Sequence, residues 1–391
     1  MSINTPARPR SPLIGRLAVA SLMLGIFAIV TSEILPIGLL TAIGADFGVS
    51  DGVAGLTMTL PGVVAAVAAP VVTLTTARLD RRVMLCVLMV VLAVADVLAA
   101  VATSYWVMLI SRVLVGLTIG GFWSIGAGLA GRLVPPHAVG AATAVIFSGV
   151  PLGSVLGVPA GTFVGGLAGW RTAFLVLAVL AVLVLGALLI VLPPLPAHQV
   201  TSLRVLFDLL RTRAAAIALL STFLIVLAHF GTYTYVTPFL RDVTGLPSTA
   251  VGAVLLAYGI AGVAGNFLAG KAVVTHLRAT FVTCGFLIAA TALLLPSAGG
   301  TTVGAVVALV VWGLAYGGVP VCSQASFVTA APHAPEAATV VFTSSFQATF
   351  ALGALLGGRI VDSFSASAVM ICGGLTALLM AASLWSLTRS R

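Results

Sequence analysis

An all-α protein that crosses a membrane twelve times is predicted by three features of this 391-residue sequence. Sixty per cent of its residues are apolar and only 7% are charged. The apolar residues form runs that reach or approach the roughly 20 residues needed to span a hydrocarbon core of about 30 Å. The charges gather between those runs. A soluble chain of this length could not cover its surface with 18 basic and 9 acidic residues. Hydrocarbon offers no partner to backbone N–H and C=O groups, so the spans must be helices, and continuous runs without period-two alternation exclude a barrel.

The spans are expected near 14–40, 52–76, 83–102, 106–130, 139–163 and 172–192, then near 214–240, 248–270, 279–296, 302–327, 337–360 and 366–387. Arg8, Arg10 and Arg16 precede or open the first; Arg78, Arg81 and Arg82 separate the second from the third; Arg132 follows the fourth. Arg204, Arg211 and Arg213 follow the sixth, Lys271 and Arg278 follow the eighth, and Arg389 and Arg391 end the chain. That alternation puts 14 of 18 basic residues on one side. The positive-inside rule makes that side cytoplasmic, with both termini on it, as an even number of spans requires. Asp46, Asp51, Asp242 and Asp362 mark the other side. Topology therefore accounts for the net charge of +9, and no nucleic-acid partner is expected. The first run is too long for a signal peptide and reads as a retained helix. Cys86, Cys284, Cys322 and Cys372 all fall within spans without metal-ligand spacing, so neither disulfides nor a metal is expected, and no cofactor is implied.

The chain is built twice. Gly116-Leu117-Thr118-Ile119-Gly120-Gly121 is echoed 197 residues later by Gly313-Leu314-Ala315-Tyr316-Gly317-Gly318. Pro136-His137-Ala138 returns 196 residues on as Pro332-His333-Ala334, and Asp46 and Asp242 keep that offset. Three echoes in order predict two parallel six-helix halves, 1–195 and 214–391, joined by a cytoplasmic linker over 196–213. Two such halves around a midplane cavity are a transporter architecture.

The segment Gly120-Gly121-Phe122-Trp123-Ser124-Ile125, continuing to Arg132-Leu133-Val134-Pro135-Pro136, and the group Ala228-His229-Phe230 with Tyr233, Tyr235 and Pro238 carry a resemblance. Over its whole length the chain resembles the major facilitator superfamily, in its twelve-span drug/proton antiporter branch. It is similar there to bacterial sugar-efflux, purine-ribonucleoside-efflux and chloramphenicol-resistance proteins. The resemblance implies a proton-coupled secondary transporter of the bacterial cytoplasmic membrane, exporting a drug, sugar or nucleoside by alternating access. Its partners would be the small-molecule substrate, protons and the lipid bilayer, and the chain is expected to act as a monomer.

Charges inside the spans are the candidates for proton coupling. Glu33 lies 17 residues beyond Arg16, about 25 Å along a helix, in the outer half of the first span. An ionised carboxylate is costly there, so it should be neutral part of the time, paired, or facing a wet cavity, as a proton carrier requires. The alternative is a side chain reaching the outer interface. Arg112 sits at similar depth in the fourth span, in a stretch Arg112-x-x-x-Gly116-x-x-x-Gly120 that resembles the superfamily's fourth-helix motif, whose arginine is implicated in coupling. Its alternative is a structural arginine bonding backbone carbonyls. Asp96, in the third span, is either that arginine's fixed partner or a second proton site. His229 is the one histidine within a span, and the 196 offset places it opposite Glu33. It titrates near neutrality in water, but a hydrogen-bonded core histidine is equally open.

Substrate contacts are expected from Tyr233, one helical turn from His229, and from Tyr235, Phe122, Trp123, Asn266, Gln324 and Gln347. Thr343 and Ser344 share a face with Gln347, either as a ligand surface or as glue between helices. Gating is expected from the loop Arg78-Leu79-Asp80-Arg81-Arg82, which resembles the superfamily's cytoplasmic loop, with Thr76 and Val83 where glycines are usual. It is also expected from Gly149-x-Pro151-x-Gly153-x-x-x-Gly157-x-Pro159-x-Gly161, which resembles the antiporter motif with an altered Gly-Pro order. Small residues four apart let helices approach closely, and prolines bend them. Proton-coupled import is the alternative direction. A membrane-embedded enzyme is the alternative class, but it would need a nucleophile–base or metal cluster, and His229 has no such neighbour in its own segment.

Overall fold

The computed structural model describes residues 12–75, 79–125, 129–196, 211–331 and 335–387. Arg8, Arg10, Arg78, Arg204, Arg389 and Arg391, most of the expected linker, and the echo at 332–334 lie outside them.

Among the described residues the structure is all helix, and its helices realise the expected spans in order. The first six are Pro12–Phe47, Leu56–Thr75, Arg81–Ala100, Tyr105–Ile125, the pair Val139–Phe147 and Gly149–Ala168, and Trp170–Val191. The seventh is Arg213–Tyr233 continued by Val236–Asp242. The last three are Thr302–Ala330, Pro335–Ser363 and Ala366–Leu387. The eighth and ninth are joined in one run, Ser248–Ala298, which leaves helical geometry only at His276 (φ −135°, ψ 47°). A straight helix of that length would be about 75 Å, more than two bilayer cores, so the break at His276 is where the chain turns back.

Several boundaries differ from the sequence reading. The fifth span is longer than 139–163 and interrupted at Ser148. Pro151 explains the interruption: it has no N–H to give the Phe147 carbonyl, so a fresh helix starts at Gly149 with the proline in its first turn. The second span is preceded by a separate turn, Asp51–Ala54, capped by the Ser50 hydroxyl, which accepts from the Val53 N–H at 3.2 Å.

The duplication has a structural counterpart. Gly116 and Gly120 of the fourth span lie against Pro61, Ala65 and Ala68 of the second. Gly313 and Gly317 of the tenth lie against Tyr258 and Gly262 of the eighth. At each contact an added Cβ would meet neighbouring backbone, so the close approach requires glycine. The turns after the first and seventh spans also match: Gly48 (φ 64°) and Gly245 (φ 75°) are both left-handed, 197 residues apart.

Buried side chains collect into separate clusters. One packs Leu22, Met89, Phe122 and Leu188 within the first six spans; a larger one packs Tyr258, Phe281, Trp312 and Phe350 of the last six and takes in Ile37, Met58 and Val158 of the first six. Ile190, Leu183, Val274 and Phe267 are exposed on the perimeter, as a lipid-facing surface requires. Hydrogen bonds between the first six and last six spans run from Ser50 Oγ and Gly52 N–H to Asp362, from Thr237 Oγ1 to the Ile37 carbonyl, and from Gln347 to Glu33. Among the described residues these lie between mid-depth and the acidic end.

The glycines of the fifth span face the first: Gly149 meets Met23, Gly153 meets Val30, Gly157 meets Thr31 and Gly161 meets Leu35. Gly157→Leu is expected to push these helices apart and cost about 1–3 kcal/mol. Thermal unfolding of the purified protein in detergent checks this; an unchanged midpoint would remove the close-packed seam.

Candidate functional site

Four spans converge on Arg112. Its side chain is fully buried, yet among the described residues no carboxylate lies within ion-pair distance. Instead Nε donates to the Thr57 carbonyl at 3.1 Å, and Nη2 donates to the carbonyls of Ser32 at 2.7 Å and Glu33 at 3.2 Å. The guanidinium thus ties the fourth span to the backbones of the first and second, and it lies 5.9 Å from the Phe174 ring centroid. Of the two readings of Arg112, its hydrogen bonds match the backbone-bonding one.

Asp96 is equally buried, and Ser32 Oγ donates to its Oδ1 at 2.6 Å. Asp96 is therefore not Arg112's direct partner. Ser32 links them, giving its hydroxyl proton to the acid and its carbonyl to the arginine. Asp96 Oδ2 and Arg112 Nη1 are buried without protein partners.

The next residue, Glu33, turns to the other side of its helix and is only half-buried. Gln347 Nε2, on the eleventh span, donates to Glu33 Oε1 at 2.8 Å. One intramembrane carboxylate is therefore held by the opposite half of the chain, while the backbone of its own residue is held by Arg112.

His229 belongs to a second cluster. Trp312 Nε1 donates to its Nδ1 at 3.1 Å. Indole N–H is only a donor, so Nδ1 must be the acceptor, and the ring is neutral with its hydrogen on Nε2. Tyr316 stacks on the imidazole at 3.4 Å between centroids and 7° between planes, and Tyr233 stacks at 5.1 Å. Tyr258 stacks on Tyr233 at 4.5 Å, and Phe230 meets the imidazole edge-on at 4.8 Å. Two helical i,i+4 pairs make this possible, His229 with Tyr233 and Trp312 with Tyr316. The half-buried Tyr316 also lies within electrostatic reach of Glu33.

The expected substrate residues divide. Tyr233 joins the aromatic cluster and Gln347 meets Glu33. Asn266 Nδ2 donates to the Gly317 carbonyl at 3.1 Å, bonding the eighth span to the tenth. Gln324 is exposed. Tyr235 does not join the site: it is fully buried, donates to the Ala354 carbonyl at 2.6 Å, and packs against Gly55 and Gly358 near the acidic end. Phe122 is buried in the core of the first six spans with Trp123 edge-on to it at 6.4 Å, so both pack within that half. Aromatic rings are large enough to fill core, and these three are placed as filling.

Trp312, Tyr316 and Tyr258 were not anticipated. The repeat holds a signal for two of them, because at the 197 offset Trp312 and Tyr316 replace Val115 and Ile119.

At the basic end, Asp80 caps the third span by accepting from the Arg82 N–H at 2.8 Å, and its other oxygen accepts from the Leu195 N–H at 2.9 Å. The Arg81 N–H donates to the Leu195 carbonyl at 2.8 Å, and the Arg82 guanidinium donates to the Leu189 carbonyl. The acid pins the segment leaving the sixth span.

Comparison with known proteins agrees with this architecture. The family model of the Major Facilitator Superfamily matches residues 22–345. The purine ribonucleoside efflux pump NepI of Shigella dysenteriae is 31% identical over 369 residues, covering 93% of this chain and 94% of that protein. A Pseudomonas aeruginosa protein named transcription regulatory protein OpdE is 34% identical over 359 residues, covering 88% of each. Among solved structures, a bacterial homologue of the human lysosomal transporter Spinster, inward-facing and unoccupied, superposes with a TM-score of 0.73 at 15% identity, covering 97% of each chain. The human organic anion transporter MFSD10 gives 0.70 at 18% identity, covering 96% of this chain and all of that one.

Arg112→Ala is expected to strand the buried carbonyls of Ser32 and Thr57, whose helical partners would be Pro36 and Pro61, at a cost on the order of 3 kcal/mol. Membrane yield and unfolding temperature should both fall, with partial recovery in Arg112→Lys, whose ammonium cannot reproduce the planar fork. Wild-type stability in Arg112→Ala would mean that these bonds do not hold the spans together.

Proposed function

The chain belongs to the major facilitator superfamily and is a multi-pass membrane transporter, and from that premise we propose that it exports a small ring-bearing solute in exchange for protons. The supporting observation is the bond from Gln347 to Glu33 across the two halves. An ionised Glu33 accepts a charge-assisted hydrogen bond from the amide, roughly twice as strong as the neutral one left after protonation. Loading a proton therefore loosens a contact between the halves, and releasing it restores the contact. Arg112 and Asp96 are the framework behind this acid, with Asp96 available as a second proton site. His229, held by Trp312, serves as a donor toward substrate rather than as the carrier.

The halves are 1–195 and 214–391, the linker lies between them, and both termini face the cytoplasm of a bacterium. Hydrogen bonds between the halves at the acidic end and mid-depth fit a state opening toward the basic, cytoplasmic end. Asp80 with Arg81 and Arg82, and the glycine–proline helix facing the first span, are the parts that adjust as the halves rock. The chain acts as a monomer and carries out no covalent chemistry.

Among drugs, sugars and nucleosides, the aromatic cluster favours a flat heterocycle bearing hydroxyls. Stacked tyrosines suit its faces, and His229 Nε2–H with the tyrosine hydroxyls suit its edges. The similarity to a purine ribonucleoside efflux pump supports the same class. The name of the Pseudomonas relative suggests gene regulation, but the basic residues here sit where topology requires them, and transport is the reading the buried acid supports.

Inside-out vesicles with an imposed pH gradient test the proposal with labelled inosine and adenosine. Glu33→Gln keeps the shape and the bond to Gln347 but cannot cycle a proton. It is expected to abolish gradient-driven accumulation while leaving binding within about fivefold, because a neutral hydrogen bond contributes only about 1 kcal/mol. Gradient-driven transport by this variant would remove Glu33 from the mechanism, and failure of the wild type to move either nucleoside would remove the substrate class.

A further inference from the structure

A crevice of about 290 Å³ enters the last six spans at the basic end, between the seventh, ninth, tenth and twelfth. Arg213 and Arg278 both line it, and no acidic side chain does. Arg213, in the first turn of the seventh span, is exposed, and among the described residues its guanidinium has neither an ion pair nor a hydrogen bond. Arg278 is half-buried and oriented from behind: Nη2 donates to the Trp385 carbonyl, and the guanidinium lies 5.3 Å from the centroid of the Trp385 ring. Its Nε is buried with no partner. The hydroxyls of Ser221, itself buried, and of Thr329 line the same crevice and bond to nothing among the described residues. Ile217 and Phe281 supply an apolar wall beside these donors.

Two guanidinium groups without an acidic partner and two unbonded hydroxyls form a donor set without an anionic acceptor. Positive charge at this end is required by topology, but topology does not require two arginines to share one concave site with the inner Nε of one of them desolvated. We propose that this crevice binds a phosphate group, held by Arg213 and Arg278 with hydroxyl support from Ser221 and Thr329. Arginine matches phosphate oxygens with a planar fork, and basic pockets between helices at this membrane face suit anionic headgroups. The apolar wall favours the phosphodiester of an anionic phospholipid, whose glycerol would lie against Ile217 and Phe281; free phosphate offers the same oxygens without that contact. The site is separate from Glu33 and the aromatic cluster, so it does not depend on which solute is carried.

Native mass spectrometry of the full chain in detergent tests this with three probes: phosphatidylglycerol, phosphatidylcholine and inorganic phosphate. Phosphatidylglycerol is expected to bind in preference to phosphatidylcholine. Arg213→Gln and Arg278→Gln should each weaken it about tenfold, the effect of one charge-assisted hydrogen bond. Arg278→Lys should retain part of the binding. Inorganic phosphate binding alone, with the same dependence on both arginines, would support the site and assign its occupant to the soluble pool. Equal binding of the two lipids without phosphate binding, wild-type affinity in both glutamine variants, or no binding of any probe would overturn the proposal. Arg213 is exposed, so Arg213→Gln decides the matter even if Arg278→Gln fails to fold.

Discussion

A guanidinium at membrane depth has five N–H donors to place, and the first and second spans pack against the fourth so that backbone carbonyls meet Nε and Nη2 of Arg112. A carboxylate would be the obvious partner, but a buried ion pair recovers its desolvation cost only with excellent geometry. Backbone carbonyls avoid desolvating a second charge. Using those of Ser32, Glu33 and Thr57 fastens three helices at one point. The acids are thereby free for other partners: Asp96 takes the Ser32 hydroxyl, and Glu33 turns toward the opposite half.

The glycine seams complement that fastening. The fourth span approaches the second through Gly116 and Gly120, which brings the side chain of Arg112, one turn before Gly116, within reach of the second span's backbone. The fifth span approaches the first through its own glycines along the stretch that holds Ser32 and Glu33. Close helix contact and the polar network are thus one design, since the short reach from Arg112 to a carbonyl exists only where side chains between the helices are absent.

The second half uses the same seams with different contents. The eighth and tenth spans meet through Gly313 and Gly317, as the second and fourth do, but the residues beside them are Trp312 and Tyr316. In place of a buried arginine there is a neutral imidazole, held by an indole N–H and stacked between tyrosines. The duplicated scaffold therefore carries a charged network in one copy and an aromatic one in the other, with Glu33 and Gln347 joining the halves.

Sequence alone determined the fold class, the order of the apolar spans and the identity of the intramembrane ionisable residues. Each of these is written in local pattern: run length, and charge between and within runs. Partner choice was decided only by tertiary structure. Glu33 and Gln347 are 314 residues apart, and His229 and Trp312 are 83 apart. The partners of Arg112 are carbonyls; those of Ser32 and Thr57 lie four residues before Pro36 and Pro61, which have no N–H to give them, but which side chain reaches them was decided by packing. Tyr235 lies two residues beyond Tyr233, yet one fills space near the acidic end while the other joins the cluster. The break between Tyr233 and Val236 ends the regular helical turn that would relate them. Helical period and water exclusion act on neighbours in the chain, whereas which polar groups meet depends on how closely particular helices pack, and small residues on both partners set that distance together.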